Sequence, residues 1–398
     1  MMKRHILFLL AGLSVLQITQ AQPLSGEKLR AKLRENLTLA QSQYKLLHAN
    51  IPADRMPQNF DIKTGTMKTS DTKWWCSGFF PGTLWYLYEY GKDKEILNIA
   101  EARLKQMEPI KHFTGNHDLG FMMYCSYGNA YRITGRPEFR KTIDTAAMSL
   151  ATRYRPSIQS IQSWDSSKNF KCAVIVDNMM NLELLMFVSN NGGDKRFRDI
   201  AVTHANTTIE RQFRPDNAAY HVLDYSLANG GKLLRKTTWQ GAHDTSAWSR
   251  GQAWAIYGYT TMYRMTKDVR YLDQARKLGA FMLNHPRMPK DGIPWWDYDA
   301  ADIPNTLRDA SAGSIMASAF IELAGYVSGA EQKRYMGAAE NILTTLSNDT
   351  YLAKPGTNGG FLLKRSVGAL PLKGEVDVAL TYADYYFVEA MMRYLALK

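Results

Sequence analysis

Two aspartates in this chain of 398 residues keep unusual company. His117 precedes Asp118 in the run Gly115-Asn116-His117-Asp118-Leu119-Gly120-Phe121, and Asn178 and Asn181 follow Asp177. A carboxyl group shielded from water can hold a proton at neutral pH, and glycosyl chemistry asks for a carboxyl able to give and take one. Residues 239–254, WQGAHDTSAWSRGQAW, complement the pair. Their tryptophans offer flat faces, Gln240 an amide and Arg250 a planar fork of donors. That set suits a polar, ring-shaped, anionic ligand carrying a carboxylate or sulfate ester. Plainer readings compete. Asp309 and Asp377 also precede helices and read as N-caps, and Trp248 or Trp254 taken singly reads as helix core.

For these residues to meet, the elements carrying them must converge. Residues 26–50 have the period of one amphipathic helix, and a polar loop follows to Lys73. Further helices are predicted near 78–90, 93–107, 119–134, 137–153, 177–190, 194–212, 246–266, 268–285, 310–327, 331–348 and 377–396, about twelve in all. Strand-like runs are short, as at 219–225 and 359–363. A weak repeat organises the helices: YLYEYGKDKEIL, AYRITGRPEFR, FVSNNGGDKRF, MYRMTKDVRYL and GYVSGAEQKRY each join two helices by a tight turn. Gly91, Gly135, Gly193 and Gly329 offer the backbone freedom such turns want, with Thr266 in the fourth copy. One connection per hairpin is therefore short and the other long. Six hairpins with the last helix meeting the first make an all-α (α/α)6 toroid, a six-hairpin barrel, whose long connections gather at one mouth. The polar runs before helices, those at Asp118, Asp177, Arg250, Asp309 and Asp377, then face one rim.

Bulk properties bound the rest. Residues 1–21 read as a signal peptide, with Lys3 and Arg4, an apolar run over 6–16 and a small-x-small site at Thr19-Gln20-Ala21. No later stretch approaches the roughly 20 apolar residues of a membrane span. An exported, periplasmic protein without membrane attachment after cleavage is expected, with one catalytic domain over 22–398. Cys76, Cys125 and Cys172 are odd in number and far apart, which is no disulfide framework. The net charge of +12, or +10 without Lys3 and Arg4, points to an anionic partner. Its scatter along the chain speaks against nucleic acid. The histidines lack metal-ligand spacing, and no HExxH, paired CxxC, GxSxG, P-loop or GxGxxG occurs, so neither metal nor cofactor is expected.

Six segments resemble a known family: WWCSGFFPGTLWYLYE, NHDLGFMMYCSYGNAYRITG, VDNMMNLELL, WQGAHDTSAWSRGQAWAIYGY, RDASAGSIMASAF and EVDVALTYADYYFVEAMMR. They are similar to the unsaturated glucuronyl hydrolases, glycoside hydrolase family 88, from about residue 28 to the end. The resemblance implies an (α/α)6 barrel and a hydrolase acting on lyase-generated oligosaccharides, glycosaminoglycan fragments above all. Such enzymes remove the terminal 4,5-unsaturated uronic acid by hydrating its C4–C5 double bond. By motif, Asp177 would protonate C4 and activate the water attacking C5, and Asp118 would bind hydroxyls and support the cationic transition state. One carboxylate doing both proton jobs falls outside the usual two-carboxylate spacing rule.

The same resemblance places Trp75, Trp164 and Trp254 around the substrate, His117 beside Asp118 and His221 near the reacting carbon. Gln240 and Arg250 match polar contacts, Arg250 to the uronate carboxylate; many relatives have histidine where this chain has Trp239. Ser366 and Lys373 fall where relatives that accept sulfated fragments place serines and a lysine, so sulfated substrate is an expectation. Two other readings are an unsaturated rhamnogalacturonyl hydrolase acting on pectin fragments, which HDLGF argues against, and a non-catalytic periplasmic glycan-binding protein. A binder has no need of a desolvated acid.

Overall fold

The computed structural model describes residues 23–397; the expected signal peptide lies outside the described residues. Its helices are α1 (Gly26–Ala49), α2 (Phe79–Gly91), α3 (Lys94–Met107), α4 (Asn129–Thr134), α5 (Pro137–Ala151) and α6 (Asn178–Asn190). They continue as α7 (Arg196–Arg211), α8 (Ser249–Thr266), α9 (Val269–Asn284), α10 (Ala310–Ala324), α11 (Gly329–Leu346) and α12 (Thr381–Leu395). A π-helical segment, Gly120–Gly128, runs straight into α4.

Burial sorts these helices into two rings. The inner α10 buries every residue except Glu322, so its sequence is apolar or small all round. The outer α3 buries only a stripe, Ile96, Ile99, Ala100, Arg103, Leu104 and Met107, and starts where Asp93 accepts the N–H groups of Glu95 and Ile96. Inner neighbours touch in the circuit α2, the π-segment with α4, α6, α8, α10, α12 and back to α2. The toroid is therefore closed, and α1 packs beside α12 and α2 to complete the sixth hairpin. Close approach needs small residues: a Cβ on Gly258 of α8 would stand 2.5 Å from the Met179 Cβ on α6.

The short turns recur as expected, with a shift. Gly135 and Gly329 are left-handed, but elsewhere the left-handed residue is Lys92 rather than Gly91, Gly192 rather than Gly193, and Lys267 after Thr266. At the first hairpin the helix ends on Gly91 itself, so Lys92 takes the left-handed position, and a Cβ on Gly91 would displace the Gln41 side chain, whose Oε1 would lie 2.2 Å from it.

The long connections hold more strand than the sequence suggests. The loop expected over 51–73 contains the hairpin Met56–Asp61 and Thr66–Ser70, which joins Gly374–Leu380 and Ser366–Ala369 in one antiparallel sheet. The Thr66–Ser70 strand is polar because much of it faces solvent. The last helix consequently starts at Thr381, and Asp377 caps nothing: it sits in the strand, ion-paired to Lys63 at 2.9 Å. Within residues 359–363, Gly359 and Gly360 form a left-handed turn and Leu363 makes only an isolated bridge with Leu352 in place of the expected strand. The strand expected over 219–225 is Val222–Ser226, between Ala173–Ile175 and Lys232–Thr237. Each long connection leads from an outer helix to the start of an inner one, so both sheets wall the same mouth.

Candidate active site

Asp177 occupies the N-cap position of α6, yet its side chain makes no capping hydrogen bond. Asp118 lies just before the π-segment. That segment is pinned to α6: a Cβ on Gly120 would fall 2.5 Å from the Asn181 Cα, and the Phe121 N–H donates to the Asn181 Oδ1 at 2.9 Å. The contact holds together the two segments that carry the carboxyl groups, whose side chains are 15 % and 11 % exposed. Burial pushes Asp177 up to about 7, against the pull of the Arg250 guanidinium and the Trp254 indole N–H. Burial and the neighbouring Asp177 charge push Asp118 well above the usual carboxylate range, with Arg153 opposing. At neutral pH the pair thus holds protons that exposed aspartates would have lost.

Two buried histidines frame the pair. Burial, with Arg153 near one and Arg250 near the other, pushes His117 and His221 down to about 3, so both are neutral. The His221 Nδ1 accepts the backbone N–H of Trp239 at 3.1 Å and of Gln240 at 3.2 Å. Its proton is therefore on Nε2, which faces the Asp177 Oδ2 at 3.7 Å. Neither of those two atoms has a hydrogen-bond partner among the described residues. Buried polar atoms are normally satisfied, so this pair marks a place where a ligand supplies the missing bonds. On the other side, the His117 Nε2 stands 3.3 Å from the Asp118 Oδ1.

The other residues singled out in the sequence surround this centre at different depths. Trp254 is fully buried against Phe121, ring centroids 5.0 Å apart, and Trp75 is half-buried against Phe121 and Tyr382. Trp164 lies at the mouth, bridged to Asn116. Arg250 is fully buried: it pairs with Asp309 at 3.2 Å, donates to the carbonyls of Val367 and Gly368, and lies over the Trp248 and Tyr382 rings. The Gln240 amide donates to the same Gly368 carbonyl at 2.9 Å. Arg250 and Gln240 thereby fasten the C-terminal loop to α8, and the Arg250 Nε has no partner among the described residues. Ser366 is fully buried with its hydroxyl unpartnered, whereas Lys373 is exposed in the turn between two strands. Among the described residues no three His, Cys, Asp or Glu side chains group as a metal site would, no helix is long and apolar enough to cross a membrane, and the three cysteines are free.

The Glycosyl Hydrolase Family 88 model matches residues 50–288. The chain belongs to that family. It is 38 % identical over 99 % of its length, and 98 % of the other protein, to an unsaturated glucuronyl hydrolase of Formosa agariphila. It is 32 % identical to an unsaturated chondroitin disaccharide hydrolase of Streptococcus pyogenes, over 81 % of this chain and 82 % of that one. A crystal structure of an unsaturated glucuronyl hydrolase specific for heparin superposes with a TM-score of 0.88 at 42 % identity, covering 92 % of this chain and 97 % of the other. The protein is thus a glycoside hydrolase with the (α/α)6 toroid of family 88.

Several residues of this family 88 site escape a reading by type and spacing. Asp309 does cap α10, accepting the Ser311 N–H, but it also neutralises Arg250, a pairing over 59 positions that no local pattern reveals. Trp248 lies against His221 at 4.5 Å as well as under Arg250. Tyr382 packs on both Trp75 and Arg250. The glycine in HDLGF was a visible sign, since only a residue without Cβ fits against Asn181.

Proposed function

We propose that this hydrolase removes the terminal 4,5-unsaturated uronic acid from lyase-generated glycosaminoglycan fragments, with Asp177 as the proton-transfer group. One observation carries the assignment: Asp177 is buried, pushed up to about 7, and keeps an oxygen without a partner at the mouth. A protonated Asp177 gives its proton to C4, and positive charge develops across C5 and the ring oxygen. Water adds at C5 and returns a proton to Asp177. The resulting hemiketal opens to a ketone at C5, leaving a hemiacetal at C1 that breaks down to an aldehyde and the free partner sugar. Every atom and proton is accounted for with one carboxyl group acting in both directions.

Asp118 binds the sugar hydroxyls and supports the cationic transition state, with neutral His117 beside it. The His221 Nε2–H, fixed by its tautomer, faces the Asp177 carboxyl and is free to donate to a ligand bound beside it. Trp75, Trp164 and Trp254 shape the ring-binding walls. The buried Arg250 guanidinium, fastened behind the C-terminal loop, supplies positive charge beside Asp177 that favours the uronate carboxylate. A structural relative complexed with dGlcA-GalNAc6S supports sulfated substrates, which Lys373 meets at the surface and Ser366 only if its strand yields. Residues 1–21 serve export to the periplasm on this reading, leaving one catalytic domain over residues 22–398.

The test is the ultraviolet absorbance of the conjugated double bond during incubation with lyase-treated chondroitin, heparin or hyaluronan. Absorbance falls if the reading holds; a constant absorbance on all three, or equal loss by Asp177→Asn, overturns it. Equal turnover of sulfated and unsulfated disaccharides overturns the sulfate preference alone.

A further inference from the structure

Outside the acid pair, the mouth contains an aromatic pocket of about 330 Å³ lined by Trp164, Ser167, Asn169, Phe170 and Trp239. That volume is at the small end of the roughly 300–1,000 Å³ seen for small-molecule sites. Phe170 stands edge-on between two indoles, 5.5 Å and 73° from Trp164 and 5.4 Å and 81° from Trp239. Trp239 is one of the few large apolar side chains left exposed, at 37 %.

A fixed cation borders the pocket. The Arg235 guanidinium lies 5.1 Å over the Phe170 ring, donates to the Asn169 carbonyl, and stands 3.6 Å from the Asp224 Oδ2. Asp224 is itself buried and held by the N–H groups of Lys171 and Cys172, at 2.9 and 3.0 Å. Arg235 is therefore presented on a rigid frame while its side chain stays half exposed. Lys168 and Lys171 are exposed on the same loop.

The pocket is tied to the acid pair from both sides. Asn116, two residues before Asp118, pairs with Trp164, and the Trp239 N–H holds His221. Its lining nevertheless includes neither aspartate and neither histidine. It therefore adjoins the acid pair at the mouth without containing it. Aromatic faces beside a fixed guanidinium suit a pyranose ring bearing a carboxylate. Glycosaminoglycans alternate hexosamine with uronic acid, so the second sugar beyond the broken bond carries that carboxylate.

We infer that the Trp164–Phe170–Trp239 pocket with Arg235 is an outer subsite for an anionic pyranose, the second sugar on the reducing side of the cleaved linkage. It rests on the function proposed above. The test compares kcat/KM for the unsaturated disaccharide and tetrasaccharide from one lyase digest. Trp239→Ala lowers the tetrasaccharide-to-disaccharide ratio about five- to tenfold, through KM. Arg235→Gln lowers the same ratio, but has no such effect on a tetrasaccharide whose internal carboxyl has been reduced to an alcohol. Equal losses on both lengths, or an unchanged ratio in both variants, overturn the outer subsite. A wild-type protein that consumes neither substrate overturns the underlying reading and the subsite with it.

Discussion

Asp177 and Asp384 are both buried, both lie near the start of an inner helix, and both are pushed up to about 7 chiefly by burial. They differ in what their oxygens do. Asp384 accepts the N–H groups of Leu362 and Leu363, each at 2.8 Å, and the Tyr44 hydroxyl at 3.3 Å. It staples the C-terminal loop to α12 and α1 and is wholly shielded. Asp177 has an oxygen with no partner, a neutral imidazole facing it at 3.7 Å, and a side chain open to the mouth. A raised pKa alone therefore does not mark a reacting group. Unused hydrogen-bonding capacity together with access does.

The comparison can be broken most directly at Asp177. Asp177→Asn keeps the shape and loses the proton, and we expect kcat to fall about a thousandfold or more with the fold intact by circular dichroism. Asp118→Asn is expected to cost about a hundredfold, because it removes support for the cation and leaves the proton donor in place. Asp384→Asn should do the reverse. It turns an acceptor of backbone N–H groups into a side chain with one acceptor and one donor end, destabilising the fold by about 1–3 kcal/mol in denaturant melts. The folded fraction should retain near wild-type kcat; a catalytic loss like that of Asp177→Asn would abolish the distinction.

The smallest effect is in pH dependence. Both carboxyls have folded values above the unfolded value of about 4. Between about 4 and about 7 the unfolded chain has released protons that the folded one retains, so stability falls as pH rises through that window and then levels off. Asp177→Asn removes one such contribution without removing any hydrogen bond to its Oδ2, so its Tm at pH 8 should exceed that of the wild type by about 2–4 °C. Activity should decline above about 7 as Asp177 loses its acid form. A Tm lowered by the substitution would place Asp177 with Asp384 as a structural group.

Much of this arrangement was legible along the chain. Helix period and the recurring short turns marked the helices and their pairing into hairpins along the chain. The aspartates of HDLGF and VDNMMN stood out through their neighbours. The mouth was harder. Strands such as Thr66–Ser70 carry a polar pattern because they are edge strands half in water, and they read as loop. Asp377 and Asp309 looked alike in sequence, each an aspartate before a helix. One lies in a strand with Lys63, while the other caps α10 and pairs with Arg250.

The sequence by itself determined the hairpins, the family and the residues with the right chemistry, because helix period, turn chemistry and motif are local properties. Only the tertiary structure decided which carboxyl remains free to react. That depends on desolvation by distant helices, on the Phe121 N–H meeting Asn181 across 60 positions, and on backbone N–H groups at Trp239 and Gln240 fixing the His221 tautomer. It also showed that Arg250 holds the C-terminal loop, since its partners Asp309, Val367 and Gly368 come together only when the ring closes.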